Sequence, residues 1–398
     1  MCLVSCSVPL LLGYLGLQAW RKHVGDARVV ARPELVSQPK MFVAGDQRTA
    51  ILTCRMPLKN LGRQQALIID ARALMQPAGD RYNDLQPRCR LINPESPRVD
   101  GYWEAYIIPA GKEIEVEIRL DLECEEGRVS EKLAEMGALR LDLHYKYYCR
   151  TPLHYRKVEI VLPVDAFAPL DQPQPLPRPE PPRPKAPLDP EAQVVSLRTH
   201  LLRPGEDTLE IVRRYTEGVG KPGDIVALAE SAVAIVQGRL AYCEDIQPRF
   251  LARQLNCLFG MHSSLSSPYS LEMAMREVGA ARILLAMAAG VLGKITRRGG
   301  DFYRLAGRSV AAIDDCTGTL PPFDKHVVMG PARGDQLVQE IKAATGMDCA
   351  IVDANDLGKV DIFHISDPAR SQEVVEALRP NPAGNAAEMT PLVLIRKR

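Results

Sequence analysis

Val310 to Gly330 reads VAAIDDCTGTLPPFDKHVVMG, and Cys349 to Gly358 answers it with CAIVDANDLG. In each, a short apolar run (Val310 to Ile313; Ala350 to Val352) leads straight into acidic residues at a turn. These are Asp314 and Asp315 before Cys316-Thr317-Gly318, and Asp353, Asn355 and Asp356 before Gly358. A buried strand that presents carboxylates to a ligand at its C-terminal end has this layout. Hard oxygen ligands grouped in this way suit Mg²⁺ or Mn²⁺ and a phosphate better than zinc. We therefore take Asp314, Asp315, Asp353 and Asp356 as candidate metal ligands, against the plainer reading that Asp and Asn close turns after strands. Asp324, Lys325 and His326 lie between the two stretches. Lys325 and His326 are the candidate catalytic side chains, as phosphate donor and general base.

The chain before this region divides by composition. From Cys2 to Trp20 it carries no charge, and Arg21, Lys22 and His23 follow at once. Such a run is just long enough to cross a hydrocarbon core of ~30 Å. The expectation is a single transmembrane anchor at 1–22, holding the protein at a membrane through residues 1–20, with the folded domains cytoplasmic by the positive-inside rule. Residues 35–165 alternate with period two, most clearly from Glu113 in EIEVEIRLDL, which predicts an antiparallel β-sandwich of immunoglobulin-like or fibronectin-like type. From Pro169 to Pro190 the sequence PLDQPQPLPRPEPPRPKAPLDP forbids helix and sheet, so 166–192 reads as a stiff polyproline linker.

Residues 193–398 read as an α+β domain, making the whole chain an α+β multidomain protein. Asp207 can cap a helix from Thr208 to Thr216, Ile225 to Ala229 is a buried strand, and Ser270 to Leu292 is one long apolar helix. Phe302 to Gly307 and Val310 to Ile313 read as strands, and Gly334 to Thr345 as a helix stopped by Gly346. Lys294, Arg297, Arg298 and Arg304 cluster around Gly299-Gly300 as candidate nucleotide-phosphate donors.

The chain carries 50 Lys and Arg against 49 Asp and Glu, few aromatics and no basic stretch interleaved with them, which argues against nucleic acid. The ten cysteines show no CxxC pair and no histidine at zinc spacing, as expected of a reducing compartment. No Walker A, GxSxG or HExxH sequence is present. Cys257, His262 and Ser266 lie close in sequence, but nothing orients them as a nucleophilic set.

Two stretches resemble the opening of the coenzyme F-420 gamma-glutamyl ligase family: Arg203-Pro-Gly-Glu-Asp-Thr-Leu-Glu-Ile-Val, and Lys221 to Leu240. Ile313-Asp-Asp-Cys-Thr-Gly is similar to the family's "ISDTFGR". The resemblance implies a ligase-like α+β domain over 193–398 that joins a glutamate-like amino acid to a small-molecule carboxylate through an acyl phosphate. It implies GTP or ATP and Mg²⁺ or Mn²⁺ as cofactors, with Asp315 as a metal ligand; a homodimer is a further expectation. Two departures bear on activity: the family's lysine after its second strand is replaced around Glu230, and its "ANAGVDxSN" segment has no counterpart before Asp314. A non-catalytic scaffold that keeps the ligase fold is the alternative expectation.

Overall fold

A computed structural model of the chain describes residues 2–397, apart from 77–78, 80–81, 94–96, 99, 173–192, 261–262, 298–299 and 385–387. Most of the proline-rich stretch thus lies outside the described residues, as does His262. The chain forms two compact units, Met1–Pro179 with Pro248–Pro268, and Glu180–Gln247 with Tyr269–Arg398.

The first unit is a β-sandwich. Its strands are β1 (Val29–Ala31), β2 (Lys40–Val43), β3 (Thr49–Asn60), β4 (Ala66–Met75), β5 (Leu85–Ile92), β6 (Tyr106–Ile108), β7 (Glu113–Cys124), β8 (Ala138–Tyr148), β9 (His154–Pro163) and β10 (Ala168–Pro169). One sheet has the order β10-β2-β3-β7-β5, with β1 also paired to β3, and the other β6-β4-β8-β9. The period-two pattern dictates this arrangement, because successive side chains of a strand point to opposite faces. In β7, Ile114, Val116, Ile118, Leu120 and Leu122 are buried while Glu113 and Glu115 are exposed. These residues meet Leu139, Leu141 and Leu143 of β8 in one core. At ~1.5–3 kcal/mol for each large apolar side chain buried, that core outweighs any single polar contact in the unit. Cys54, Cys89, Cys124 and Cys149 in this unit are free thiols.

The corner between β3 and β4 depends on one glycine. Asn60 is fully buried and its Oδ1 accepts from the amides of Arg28 (3.1 Å) and Gly62 (2.9 Å), so the two backbone segments lie against each other. A Cβ on Gly62 would run into the backbone of Asp26, Ala27 and Arg28. Gly62→Ala is expected to cost roughly 1–3 kcal/mol as an overpacking change. A denaturant midpoint equal to that of the wild type would show that the corner can open.

The anchor expected at 1–22 is not borne out. Cys2–Val24 is a helix, but among the described residues no helix is long and apolar enough to cross a membrane. The expected single-pass topology, with membrane attachment through residues 1–20 and cytoplasmic domains, falls with it. The physical reason is dilution and pairing: Gly13, Gly16 and Gln18 interrupt the apolar residues, and Arg21, Lys22 and His23 belong to the same helix. Gln18 Nε2 donates to Gln254 Oε1 (2.8 Å) and Trp20 Nε1 to the Cys257 carbonyl (3.3 Å), so this end of the helix is tied to Pro248–Pro268 of its own unit.

The second unit is built on a five-stranded sheet of β11 (Val194–Leu197), β12 (Ile225–Ala229), β15 (Asp348–Ala354), β16 (Val360–Ile365) and β17 (Leu392–Ile395), ordered β11-β17-β12-β15-β16. β13 (Leu240–Tyr242) and β14 (His326–Val328) form a separate pair. β12 and β15 run parallel, in register from Ile225 opposite Asp348 to Ala229 opposite Val352. Both faces of this sheet are covered, which is why β12 reads as an unbroken apolar run. Helices Thr208–Thr216 and Gly334–Thr345 pack Ile211, Val212, Val338 and Ile341 on one face, and Ser371–Leu378 packs Val374 and Leu378 on the other.

Three local expectations differ from the structure. Phe302 to Gly307 and Val310 to Ile313 are not strands: Asp301–Ala306 and Arg308–Ala311 are short helices, entered through Gly300 and Gly307 at φ 85° and 104°. The long apolar segment is two helices, Pro268–Val278 and Ala280–Ile295, broken at Gly279, whose φ of 86° no helix interior adopts.

Candidate functional site

Because Ala229 and Val352 are register partners, Glu230 and Asp353 follow side by side at the C-terminal ends of β12 and β15. Asp314 reaches the same place by a different route. Its amide donates to the Val328 carbonyl (2.9 Å) and its carbonyl accepts from Val328 (3.0 Å), so a single bridge to β14 fixes it. Glu230, Asp314 and Asp353 line one cleft of about 310 Å³ with Thr319, Leu320, Phe323, Ile235 and Leu378.

The three carboxylates repel one another in a poorly solvated place. Burial, then Asp314, then Asp353 hold the Glu230 carboxyl well above the ordinary carboxylate range. Burial, reinforced by Asp353 and Asp315, pushes Asp314 up to about 7. Asp353 is raised by burial and by Asp361, its partner across the strand pair, with Lys359 opposing. Glu230 is only 5% exposed, and among the described residues its carboxylate accepts from the adjacent Ser231 amide. Thr319 Oγ1 is buried and has no hydrogen-bond partner among the described residues. Among the described lining residues there is no lysine or arginine. His200, at the cleft, is engaged on both nitrogens, Nδ1 with the Tyr215 hydroxyl (2.6 Å) and Nε2 with Glu206 (2.8 Å).

The other candidate residues stand elsewhere. Asp315 Oδ1 accepts from the Cys316 amide (3.0 Å), which closes the turn after Asp314, and Asp356 Oδ1 accepts from Asn381 Nδ2 (3.0 Å) beside the hairpin tip. Lys325 is buried, and His326 lies near the rings of Tyr242 and Phe323, its basicity lowered by burial. Neither lines the cleft. Arg304 pairs with Asp301 (3.2 Å), Lys294 and Arg297 are exposed at and beyond the end of their helix, and Arg298 lies outside the described residues. Glu230 and Thr319 are the cleft residues that the acidic-turn pattern passed over. The only sequence signal for Glu230 was a carboxylate standing where the resembling family carries a lysine.

Two family profiles match the chain. That of the F420-0:gamma-glutamyl ligase N-terminal Ig-like domain covers residues 82–166, and that of F420-0:Gamma-glutamyl ligase covers 196–356, which includes Glu230, Asp314, Thr319 and Asp353. These two segments are those of the F420-0:gamma-glutamyl ligase family. The family is named for joining glutamate to its substrate. No curated protein sequence matches the chain. Similar solved structures include the ApaA protein from Bordetella pertussis (10% identity, TM-score 0.20, covering 34% of this chain and 94% of that one). The GAE domain of GGA2p from Saccharomyces cerevisiae (7%, 0.19, 34% and 97%) and a protein from Archaeoglobus fulgidus (10%, 0.17, 35% and 98%) are others. Likeness at these scores carries no argument about this chain's fold or activity.

Proposed function

We propose that this protein is an amide-forming ligase that joins a small-molecule carboxylate to an amine with the help of a nucleoside triphosphate and Mg²⁺ or Mn²⁺. The observation that supports this reading best is the meeting of Asp314 and Asp353 in one cleft inside the matched region. The donor set suits the ion: hard carboxylate oxygens, with the orphaned Thr319 hydroxyl beside them. Among the described residues, no three His, Cys, Asp or Glu side chains stand so that one ion could take them all. Mg²⁺ is commonly held by one or two carboxylates, with phosphates and water completing its shell, and Asp314 and Asp353 would be that pair. The nucleotide supplies the phosphoryl group that turns a carboxylate into an acyl phosphate, and the ion neutralises phosphate charge.

The chain's own residues bind and enclose. Asp314 is fixed by its bridge to Val328 and Asp353 by the strand ladder, so neither must be ordered when a ligand arrives. Thr319 Oγ1 can donate to an anionic oxygen. Ile235, Leu320, Phe323 and Leu378 form apolar walls that would limit water at an activated acyl group. The lack of lysine and arginine on the described lining favours the second reading, a scaffold that keeps the fold without turnover. Thermal shift of the full chain with Mn²⁺, alone and with GTP or ATP, decides between them. At about 100 times the dissociation constant, a real site adds ~2.7 kcal/mol of stability. Absence of any shift with either nucleotide would leave the scaffold.

A further inference from the structure

The helix Ala280–Ile295 is apolar on two sides, and only one of them is covered. Ile283 and Ala286 are fully buried, and Gly290 lets Phe302 approach so closely that a Cβ there would stand 3.1 Å from the Phe302 Cβ. The other side carries Ala281, Leu284, Leu285, Ala288, Val291 and Leu292, all exposed. Leu285 is 65% exposed, Leu292 63% and Val291 54%, so one short helix turns three large apolar side chains to solvent. A contiguous exposed apolar surface of this kind marks an interaction site. At 3.6 residues per turn the six side chains fall within an arc of about 120° and run about 16 Å along the axis. Arg282 and Lys294 stand just outside the two edges of that arc, and Arg297 follows beyond the helix, all three exposed. The helix contains no acidic residue.

Spacing and charge together decide what fits this face. Apolar residues three and four apart form a stripe along which another helix packs. Ala281 and Ala288 leave hollows between the leucines, and the side chains of a facing helix fill such hollows. A bilayer offers no side chains for them, and the helix lacks the aromatic residues and the many basic ones of an interfacial helix. A second copy matches the shape but not the charge. Two copies of this face laid together would join basic edges with no acid to balance them. An acidic helix satisfies both conditions.

We propose that the exposed face of Ala280–Ile295 docks an amphipathic helix of another protein, one with large apolar side chains along a single stripe and Asp or Glu on its flanks. The inference is independent of the ligase reading, since none of these residues is among those lining the cleft. A contact about three turns long is small for a protein interface, so the association belongs to the weak, transient class. The test uses the full-length protein and a blocked three-heptad peptide with leucine at both core positions and glutamate at the flanking ones, against a counterpart with lysine in place of glutamate. By calorimetry the glutamate peptide should bind at least about tenfold more tightly than the lysine peptide, and added salt should weaken it. Leu285→Asp, at an exposed position where a change costs the fold little, should weaken the glutamate peptide about tenfold or more. Lys294→Glu should narrow the difference between the two peptides. Circular dichroism of each variant identifies any that fails to fold, and the wild-type comparison of the two peptides stands without them. Equal binding of the two peptides, binding of neither, or an unchanged affinity in a folded Leu285→Asp overturns the proposal. Sedimentation velocity of the protein alone and pelleting with phosphatidylserine vesicles test the other occupants. A dimer or a vesicle complex that Leu285→Asp abolishes would give the face to a second copy or to lipid, and either result also overturns it.

Discussion

Asp314→Asn should stabilise the metal-free protein at pH 8 while removing its affinity for Mn²⁺. Asp314 titrates at about 7 in the folded chain, raised by burial, Asp353 and Asp315, against an ordinary value of 3.8. A carboxyl whose folded pKa lies above its unfolded one holds an extra proton in the native state between the two values. Stability is then fully present below pH ~4 and is lost as pH rises through about 7. At ~1.4 kcal/mol per pKa unit, and with a discount for partial solvation, the loss is on the order of 2–4 kcal/mol. Glu230, shifted in the same direction by burial and by Asp314 itself, steepens the decline. Asparagine has no charge to desolvate or repel, so the variant's stability should vary much less over this range, and the two curves should meet near pH 4. Urea unfolding of both proteins in chelator at pH 4.5, 6 and 8 is the measurement. A variant less stable than the wild type at pH 8 would mean that the Asp314 carboxylate holds the fold together. The Mn²⁺ titration is independent of that result, and equal affinity in both proteins would remove Asp314 from the ion site.

The same carboxylates show how far the sequence could be read. Asp314 and Asp353 were visible as acids after apolar runs, and Asp353 does leave the end of a buried parallel strand. Asp314 follows a helix and not a strand, because four apolar residues carry no periodicity long enough to separate the two, and Gly307 starts a helical turn. The alternation of β7 was legible because the pattern runs over many residues and one face is buried throughout. The helix Thr208–Thr216 was legible through its cap, Asp207, whose Oδ1 accepts from the Leu209 amide (2.8 Å). Glu230 was not legible as a site residue, since its importance comes from strand register: only the pairing of Ala229 with Val352 sets it beside Asp353. The terminal helix misled for the opposite reason. Its lack of charge is local and visible, whereas the hydrogen bonds of Gln18 and Trp20 to residues 254 and 257 are not.

Arg150→Met should release Pro248–Pro268 from the sandwich unit, with a loss on the order of 3 kcal/mol. Arg150 is 6% exposed, and its guanidinium donates to three carbonyls of that segment: Asn256 (2.7 Å), Phe259 (3.0 Å) and Ser266 (3.2 Å). Asn256, wholly buried, returns a bond from Nδ2 to the Arg150 carbonyl (2.7 Å). Backbone position is set from the other side by Asp26, which accepts from the amides of Arg150 (2.9 Å) and Thr151 (3.1 Å). Hydrogen bonds from a charged donor contribute ~1.5–3 kcal/mol each, but methionine keeps much of the apolar contact and water can reach some freed carbonyls, so the loss is less than their sum. Lysine presents a single point charge in place of the planar fork and should recover only part of it. Limited proteolysis should cut the methionine variant first within 248–268, because a segment held by few contacts opens at low cost. Trp20 reports on the same event, since its Nε1 donates to the Cys257 carbonyl (3.3 Å) and its emission should shift when that carbonyl departs. A methionine variant within ~0.5 kcal/mol of the wild type, the range of ordinary surface substitutions, and with an unchanged cleavage pattern would show that the segment is held without Arg150.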